Sequence, residues 1–267
     1  MISVITICKN AENIIGETVS SIFQQKDETF EFLLIDGDST DSTINTVKSL
    51  IEKYKFPANR VIIISEKDKG VYDAMNKGIN NAHGDFILFM NGGDKFYNEN
   101  VISNFEKIIE KTSADAYYGN TLMEFYEGKG ILHDNEEINR NPIMPFIHQS
   151  VIVKKSLLEY HPFNLKYKIL ADYDFFYWMR MTGCKFHYEP FIVSIYDAKE
   201  GLSENNPLII AFERDEILGI DKRKHYWIRK IVLHCTVGLI QPIKNIAPRF
   251  LLNFYFRKKK SYIKWLD

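Results

Sequence analysis

The chain has 267 residues, of which 45% are hydrophobic and 26% are charged, and its formal net charge is −1. This is an ordinary globular composition, and the near-zero charge provides no global field that would attract nucleic acid. The cysteines Cys8, Cys184 and Cys235 are odd in number and far apart, so we expect a reduced, cytoplasmic setting without disulfides. The N-terminus lacks a signal-peptide pattern, and no apolar run is long enough to span a bilayer.

The first 115 residues alternate between two hydrophobic patterns. Short apolar, β-branched runs predict strands at 3–8, 30–35, 61–64 and 86–90. Each run is followed by apolar residues at helical spacing, the last of these helices covering residues 101–109. Alternation of this kind predicts an α/β fold with a mostly parallel central sheet. After residue 116 the pattern is less regular and richer in aromatic residues.

Carboxylates stand at the ends of these predicted elements. Asp36 follows the second strand, Asp94 follows the fourth, and Asp172 precedes an aromatic-rich helix pattern. In open α/β sheets, the carboxyl ends of the strands form the ligand-binding edge. The three acids therefore indicate one site that holds a sugar nucleotide, a metal ion and a catalytic base.

The ordered series SVITICKN, FLLIDGDSTDST, SEKDKGVYDAMNKGINNAHGDFILFMNGGD, HQS and ADYDFFYWMR resembles glycosyltransferase family 2. The likeness covers about residues 1–200 and is greatest to the branch that builds bacterial capsule, exopolysaccharide and O-antigen. It implies an inverting enzyme with a GT-A fold, a three-layer α/β/α domain. The implied domain is 1–205, with a nucleotide-binding half at 1–115 and an acceptor half at 116–205. The P-loop and GxGxxG motifs are absent.

By this resemblance, Thr6 and Asp36 contact the nucleoside of the donor. Many family members have two adjacent acids here, whereas this chain has Asp36-Gly37-Asp38, so Asp38 is a second candidate. Helix capping is the alternative for Asp38, and it is favoured for Asp41.

The turn after the third strand adds Asp68, for the base or ribose, and Lys69, which together with Lys77 is a candidate to neutralise phosphate. A solvated charged turn is the alternative interpretation of this segment.

Asn91-Gly92-Gly93-Asp94 stands where the family has its DxD-type metal motif, of which only the last acid is present. The resemblance implies that Asp94 binds a divalent cofactor, Mn²⁺ or Mg²⁺, which bridges the diphosphate. Asn91 is then expected to contact ribose or diphosphate, and Gly93 lets the backbone approach the donor. A surface turn is the alternative.

Asp172 occupies the position of the family's catalytic base, which takes the proton of the attacking acceptor hydroxyl. An acid at a helix start is also a good N-cap, which is the structural alternative. His148 and Gln149 are expected beside the acceptor and the diphosphate, although a core or surface histidine is the commoner case. The QxxRW motif of processive synthases is absent, which favours transfer of a single sugar.

Residues 221–267 contain twelve Lys or Arg and two Asp, interleaved with aromatic residues. This pattern predicts that 206–267 is a basic, amphipathic helical extension that lies on the inner face of the cell membrane. The alternative is an appendage packed on the catalytic domain or a homodimer interface.

Together with these patterns, the resemblance implies transfer of one sugar, with inversion, from a nucleoside diphosphate sugar to a hydroxyl of a saccharide acceptor. UDP is the favoured nucleotide, and the acceptor is expected to be lipid-linked. Two other classes stay open. One is a sugar-phosphate nucleotidyltransferase, although ICKNAENIIG is not the Gly-rich, basic loop of those enzymes. The other is a nucleotide-sugar-binding module without turnover.

Overall fold

The computed structural model describes residues 1–27, 29–126, 128–133, 143–198, 206–246 and 263–266. Strands and helices alternate through the first half, as the hydrophobic periodicity predicts. The elements in order are β1 (Ile2–Cys8), α1 (Ile15–Phe23), β2 (Glu31–Asp36), α2 (Thr43–Tyr54), β3 (Val61–Ser65), α3 (Val71–Asn81), β4 (Phe86–Phe89), β5 (Lys95–Phe96) and α4 (Val101–Lys111).

The strands β3, β2, β1 and β4 lie side by side in that order and are all parallel. Successive residues of β1 point to opposite faces of the sheet. Ile5 and Ile7 pack in one buried cluster with residues of α3, and Ile2 and Val4 pack in a second cluster with α1 and α4. Because helices cover both faces, β1 and β2 read as continuous apolar runs.

The second half extends the same sheet with mixed strand directions. Its elements are β6 (Ala116–Phe125), β7 (Gly128–Leu132), β8 (Val151–Lys154), α5 (Lys155–Tyr160), α6 (Ala171–Met181) and β9 (Phe186–Asp197). β8 is antiparallel to both β4 and β6, and β9 is parallel to β6. The predicted α/β class is confirmed, with the parallel pairing concentrated in the first half of the chain.

Residues after 205 contribute α7 (Pro207–Ile217), α8 (Tyr226–Ile246) and β10 (Ile263–Leu266). Ile217 of α7 joins the same buried cluster as Phe175 of α6. β10 pairs antiparallel with β7, and its Trp265 ring lies 5.3 Å from the ring of Phe125. The region predicted to be a helical extension therefore contains a strand of the main sheet as well as helices.

No helix among the described residues combines the length and apolarity needed to cross a bilayer. Several of the aromatic residues expected at a membrane, between 247 and 262, lie outside the described residues.

Candidate functional site

A cleft of about 1240 Å³ opens over the carboxyl ends of β1 and β4. Its walls come from both halves of the sheet and from the turn that leads into α6. The lining residues used below are Asp68, Tyr72, Asn91, Gly93, Asp94, His148, Gln149, Lys168, Ile169, Leu170, Asp172 and Asp197.

The turn after β4 is fixed to β1 and α1 by hydrogen bonds. The buried Thr6 hydroxyl donates to the carbonyl of Met90 at 2.8 Å, and the Gly92 N–H donates to the carbonyl of Ile7 at 3.1 Å. Gly93 has a φ of 104°, a conformation that favours glycine, and its N–H donates to Thr18 Oγ1 at 2.9 Å. This turn places Asp94 inside the cleft wall.

Asp94 is 6% exposed, and its Oδ2 accepts a hydrogen bond from Gln149 Nε2 at 2.6 Å. Burial raises the pKa of Asp94 to about 6, although the bond from Gln149 and the proximity of His148 act in the opposite direction. A carboxylate whose negative charge is costly at this position would be stabilised by a cation.

Two acceptor atoms beside Asp94 are buried and have no hydrogen-bond partner among the described residues. They are Asn91 Oδ1 and Gln149 Oε1. A buried polar atom without a partner costs free energy, so these atoms favour a bound molecule that donates N–H or O–H groups.

Asp172 lies in the first turn of α6, and donors hold both of its oxygens. The Tyr72 hydroxyl lies 2.9 Å from Oδ1, the Tyr173 N–H donates to Oδ1 at 2.8 Å, and His148 Nδ1 lies 3.3 Å from Oδ2. Burial and the negative charge of Asp172 raise the pKa of Tyr72 well above its usual value, so its hydroxyl stays protonated, and two acceptors share its single proton: Asp172 Oδ1 and the carbonyl of Ile169 at 2.5 Å.

His148 connects the two ends of the site. Its Nε2 lies 2.9 Å from Asn91 Nδ2, while its Nδ1 faces Asp172. If Asn91 donates to Nε2, a neutral His148 carries its proton on Nδ1 and donates it to Asp172. The next residue, Gln149, bonds Asp94. One short segment therefore contacts the turn after β4 and the start of α6.

The structure brings seven of the predicted site residues together along the cleft: Asp68, Asn91, Gly93, Asp94, His148, Gln149 and Asp172. The other four, Thr6, Asp36, Asp38 and Lys69, are not among its lining residues, and their donor contacts stay predictions.

Three of these four residues, Thr6, Asp36 and Lys69, have hydrogen-bond partners on neighbouring elements. Asp36 is fully buried, with its oxygens bonded to Ser39 and Ser65. Asp38 is in the left-handed region with a φ of 63°, and the N–H of the exposed Lys69 donates to Asp73.

The neighbouring polar residues Asp41 and Lys77 have structural partners. Asp41 Oδ1 accepts from the N–H of Thr43 at 3.0 Å, but the N-cap of α2 is Ser42, so Asp41 lies one residue before the capping position. Lys77 donates to the carbonyl of Lys67 at 2.7 Å and pairs with Glu66 at 2.8 Å.

Asp68 explains why glycine stands at position 37. A Cβ added to Gly37 would lie 2.4 Å from Asp68 Oδ2, so a larger residue at 37 would displace this side chain. The same carboxylate accepts from the N–H of Gly70 at 2.9 Å, which holds it at the mouth of the cleft.

Sequence reasoning missed Tyr72, Lys168 and Asp197. Asp197 ends β9 after an apolar run, which is the same strand-end signal that identified Asp94. Its backbone N–H also bonds to Asp94. Tyr72 and Lys168 carry no comparable signal, because their role depends on the approach of α3 to the turn before α6.

The sheet topology and the cleft at its carboxyl edge define a GT-A-type transferase domain. A family model described as glycosyl transferase family 2 matches residues 3–179, and the chain belongs to this family. A PGL/p-HBAD biosynthesis glycosyltransferase of Mycobacterium bovis is 32% identical over 180 residues, which cover 66% of this chain and 68% of the relative. The putative teichuronic acid biosynthesis glycosyltransferase TuaG of Bacillus subtilis is 28% identical over 124 residues, 46% and 48% of the two chains.

Solved structures share the fold. The 1–349 portion of S. aureus TarS in complex with UDP-GlcNAc superposes with a TM-score of 0.57 at 21% identity, over 75% of this chain and 59% of that one. The mannosyltransferase PcManGT of Pyrobaculum calidifontis, in complex with GDP-Man and Mn²⁺, has a TM-score of 0.65 at 15% identity, over 98% and 81% of the two chains.

Proposed function

We propose that this chain transfers one sugar, with inversion, from a UDP-linked donor to a hydroxyl of a saccharide acceptor during synthesis of a bacterial surface polysaccharide or glycolipid. The observation that carries the proposal is the placement of Asp94 and Asp172 in one cleft, connected through Gln149 and His148. The relatives named for glycolipid and teichuronic acid biosynthesis support the acceptor class.

In this proposal Asp172 is the general base. Its carboxylate takes the proton of the acceptor hydroxyl while the acceptor oxygen forms a bond to the anomeric carbon. The bond from that carbon to the diphosphate breaks on the opposite face, and the nucleoside diphosphate leaves with its electron pair. Tyr72 and His148 fix the carboxylate orientation, and a carboxylate has enough lone-pair sites to accept the acceptor proton as well.

We place a divalent ion beside Asp94, although the described residues include no group of three or more His, Cys, Asp or Glu that could hold a metal by itself. The raised pKa of its carboxyl marks a buried negative charge that a cation would offset. One carboxylate provides only part of a coordination shell, which suits an ion whose remaining ligands are phosphate oxygens and water. Such an ion, Mn²⁺ or Mg²⁺, would offset the charge that develops on the leaving diphosphate.

The donor is then placed across the cleft from Asp68 to Gln149. Asn91 Oδ1 and Gln149 Oε1 accept hydrogen bonds from its hydroxyl groups or from bound water. Asp68 contacts the base or ribose, the nearby Asp38 and Lys69 complete the nucleoside end, and Gly93 lies close to the diphosphate, while the fully buried Thr6 and Asp36 support the strand ends behind them.

For the acceptor we propose a lipid-linked saccharide, reached from the inner face of the cell membrane. Support comes from α8, where Trp227, Ile231 and Val232 are more than half exposed. Exposed basic residues, including Lys224 and Lys230, lie close to them in sequence, as expected for a helix at an anionic lipid surface. A homodimer interface at the same residues is the alternative.

A panel of nucleotide sugars tests the function. We expect metal-dependent release of UDP from one donor, and its loss in Asp172→Asn with retained UDP binding. Release of pyrophosphate from a sugar phosphate and nucleoside triphosphate would instead indicate a nucleotidyltransferase. Binding without turnover across the panel and a set of acceptors would indicate a binding module.

Sedimentation with liposomes tests the membrane role. The chain should sediment with anionic vesicles, less at high salt, because exposed basic residues lose attraction when screened. The double variant Trp227→Ser, Ile231→Ser should sediment less, while Met181→Ser, an equally exposed apolar residue on α6, should behave as wild type. Equal sedimentation of all three would contradict the membrane role, and a change from dimer to monomer in the double variant would favour the interface.

A further inference from the structure

A carboxylate of α7 binds the segment that leads into α6. Glu213 Oε1 accepts from the backbone N–H of Lys168 at 2.7 Å, and Oε2 accepts from those of Ile169 at 3.1 Å and Leu170 at 2.9 Å. Three successive N–H groups thus share one carboxylate. Glu213 lies beyond residues 3–179, which the family model matches.

The bound segment, residues 168–170, is a wall of the cleft and the immediate lead into α6. The carbonyl of Ile169 lies 2.5 Å from the Tyr72 hydroxyl, which also lies 2.9 Å from Asp172 Oδ1. The carbonyl of Leu170 accepts from the N–H of Asp174 in the first turn of α6. A displacement of this segment would therefore move both Tyr72 and Asp172.

The charge of Glu213 is suited to this position. The N-terminus of a helix carries partial positive charge, and a carboxylate placed there is stabilised. A glutamine at 213 would keep one acceptor oxygen but would turn an NH₂ group toward at least one backbone N–H. The three bonds consequently require a carboxylate.

Other contacts besides those of Glu213 attach α7. Ile217 is buried in the main core, and the fully buried Asp215 forms two hydrogen bonds with Arg229 of α8. These contacts hold the helix in place and leave Glu213 with one set of partners, the backbone of the segment.

We infer that Glu213 is a positioning residue for catalysis: by fixing residues 168–170 it holds Tyr72 and the first turn of α6, and so sets the position of the Asp172 carboxylate. The inference rests on the proposed function, in which Asp172 is the base.

Glu213→Gln tests it, with Glu216→Gln on the same helix as the matched control. We expect kcat to fall on the order of 10-fold to 10²-fold in Glu213→Gln, with the KM for the donor nearly unchanged, because small misplacements of a catalytic group are costly. Glu213→Asp keeps the charge and should recover part of kcat. The control should match wild type, and equal kcat in all variants would overturn the inference.

A double-mutant cycle with Asp172 separates positioning from general damage. If Glu213 acts through Asp172, adding Glu213→Gln to Asp172→Asn should cause no further loss of kcat. Multiplying losses would overturn the inference. Should Glu213→Gln fail to fold, the same cycle is read with Glu213→Asp.

Hydrogen exchange distinguishes failure of this inference from failure of the proposed function. Glu213→Gln should speed amide exchange at residues 168–170, whether or not a donor has been found. Unchanged exchange there would overturn the inference by itself. Absence of transfer in the wild-type chain, with faster exchange in the variant, would instead count against the proposed function.

Discussion

Asp36 and Asp94 both follow buried parallel strands, yet their surroundings differ. Asp36 is fully buried and accepts from the Ser39 N–H at 2.9 Å and from the Ser65 hydroxyl at 2.6 Å, with the Ser39 hydroxyl also bonded to it. For Asp94, the Gln149 amide and the Asp197 backbone are the donors, and burial raises its pKa to about 6. Protein groups satisfy the first acid, whereas the second retains a cost that a ligand can remove.

The residues around Asp36 and the residues around Asp94 also differ in how fully their polar atoms are hydrogen-bonded. Burial and the negative charge of Asp36 raise the pKa of Cys8 to about 12, so the thiol stays protonated and can donate toward Asp36 at 3.7 Å. At the other end of β2, Glu31 accepts from Ser3 and from the backbone of His83 and Gly84. Around Asp94, by contrast, Gln149 Oε1 has no partner among the described residues. A strand-end acid therefore indicates a ligand site when its neighbours leave hydrogen-bonding capacity unused.

The largest effect is expected at Asp172. Asp172→Asn removes the proton acceptor while keeping the size of the side chain, so turnover should fall on the order of 10²-fold or more, with donor affinity retained. Asp174→Asn, one position beyond Tyr173 on the same helix, is the control and should stay within a few-fold of wild type. Transfer near wild-type rates in Asp172→Asn would remove it as the base and favour a structural role.

Asp94→Ala should have the second largest effect, and it should act on donor binding. Calorimetry with UDP and Mn²⁺ should show loss of the metal-dependent part of binding, on the order of 10-fold or more in Kd, because the cleft loses the carboxylate proposed to hold the ion. Binding in the absence of metal should change little. Unchanged affinity with Mn²⁺ would remove Asp94 from the site.

Asp36→Asn tests the acid whose hydrogen bonds are satisfied by protein groups. The new amide presents N–H groups where serine donors converge, so we expect the free energy of unfolding to fall by about 1–3 kcal/mol. Urea unfolding measures this loss, which should exceed the change in the free energy of UDP binding. Reduced UDP affinity with unchanged stability would show that Asp36 acts on the nucleoside rather than on the fold.

Glu31 gives the smallest effect, and it depends on pH. Burial alone would raise its pKa, but hydrogen bonds from Ser3, His83 and Gly84 outweigh burial and lower it. A lowered pKa means that the stabilisation is present above the unfolded value of 4.5 and is lost as pH falls through the folded value. Glu31→Gln should therefore lower stability by about 1 kcal/mol at pH 7. The variant should differ less from wild type at a pH below the folded pKa of Glu31, and an equal difference there and at pH 7 would contradict this account.

Much of the fold follows from hydrophobic periodicity. β1 to β4 and the helices after them form where the sequence pattern predicts, because each element buries a face that its own residues define. Asp94 and Asp172 could be placed at the end of a strand and the start of a helix from sequence, whereas their predicted roles as metal ligand and base came from the resemblance to glycosyltransferase family 2.

What could not be predicted depends on contacts between distant residues. The donors to Asp36 include Ser65 from the next strand, and the partners of Glu213 lie in the turn before α6. The basic, aromatic composition after residue 221 indicated a lipid surface and gave no sign that 263–266 would pair with β7. Composition reports what a segment can contact, whereas its actual partner is set by the three-dimensional fold.

β10 has a further consequence for the solution behaviour of shortened chains. It covers one side of β7, with Ile263 buried against Leu132 in a small cluster. Without β10, β7 would expose a row of unpaired backbone N–H and C=O groups, which is a template for pairing with other chains. With β10 present, the β7 edge is paired and the terminal strand on this side of the sheet is the four-residue β10 itself. Chains cut before residue 263 should therefore aggregate through this edge, even where every residue proposed to act on the donor is intact.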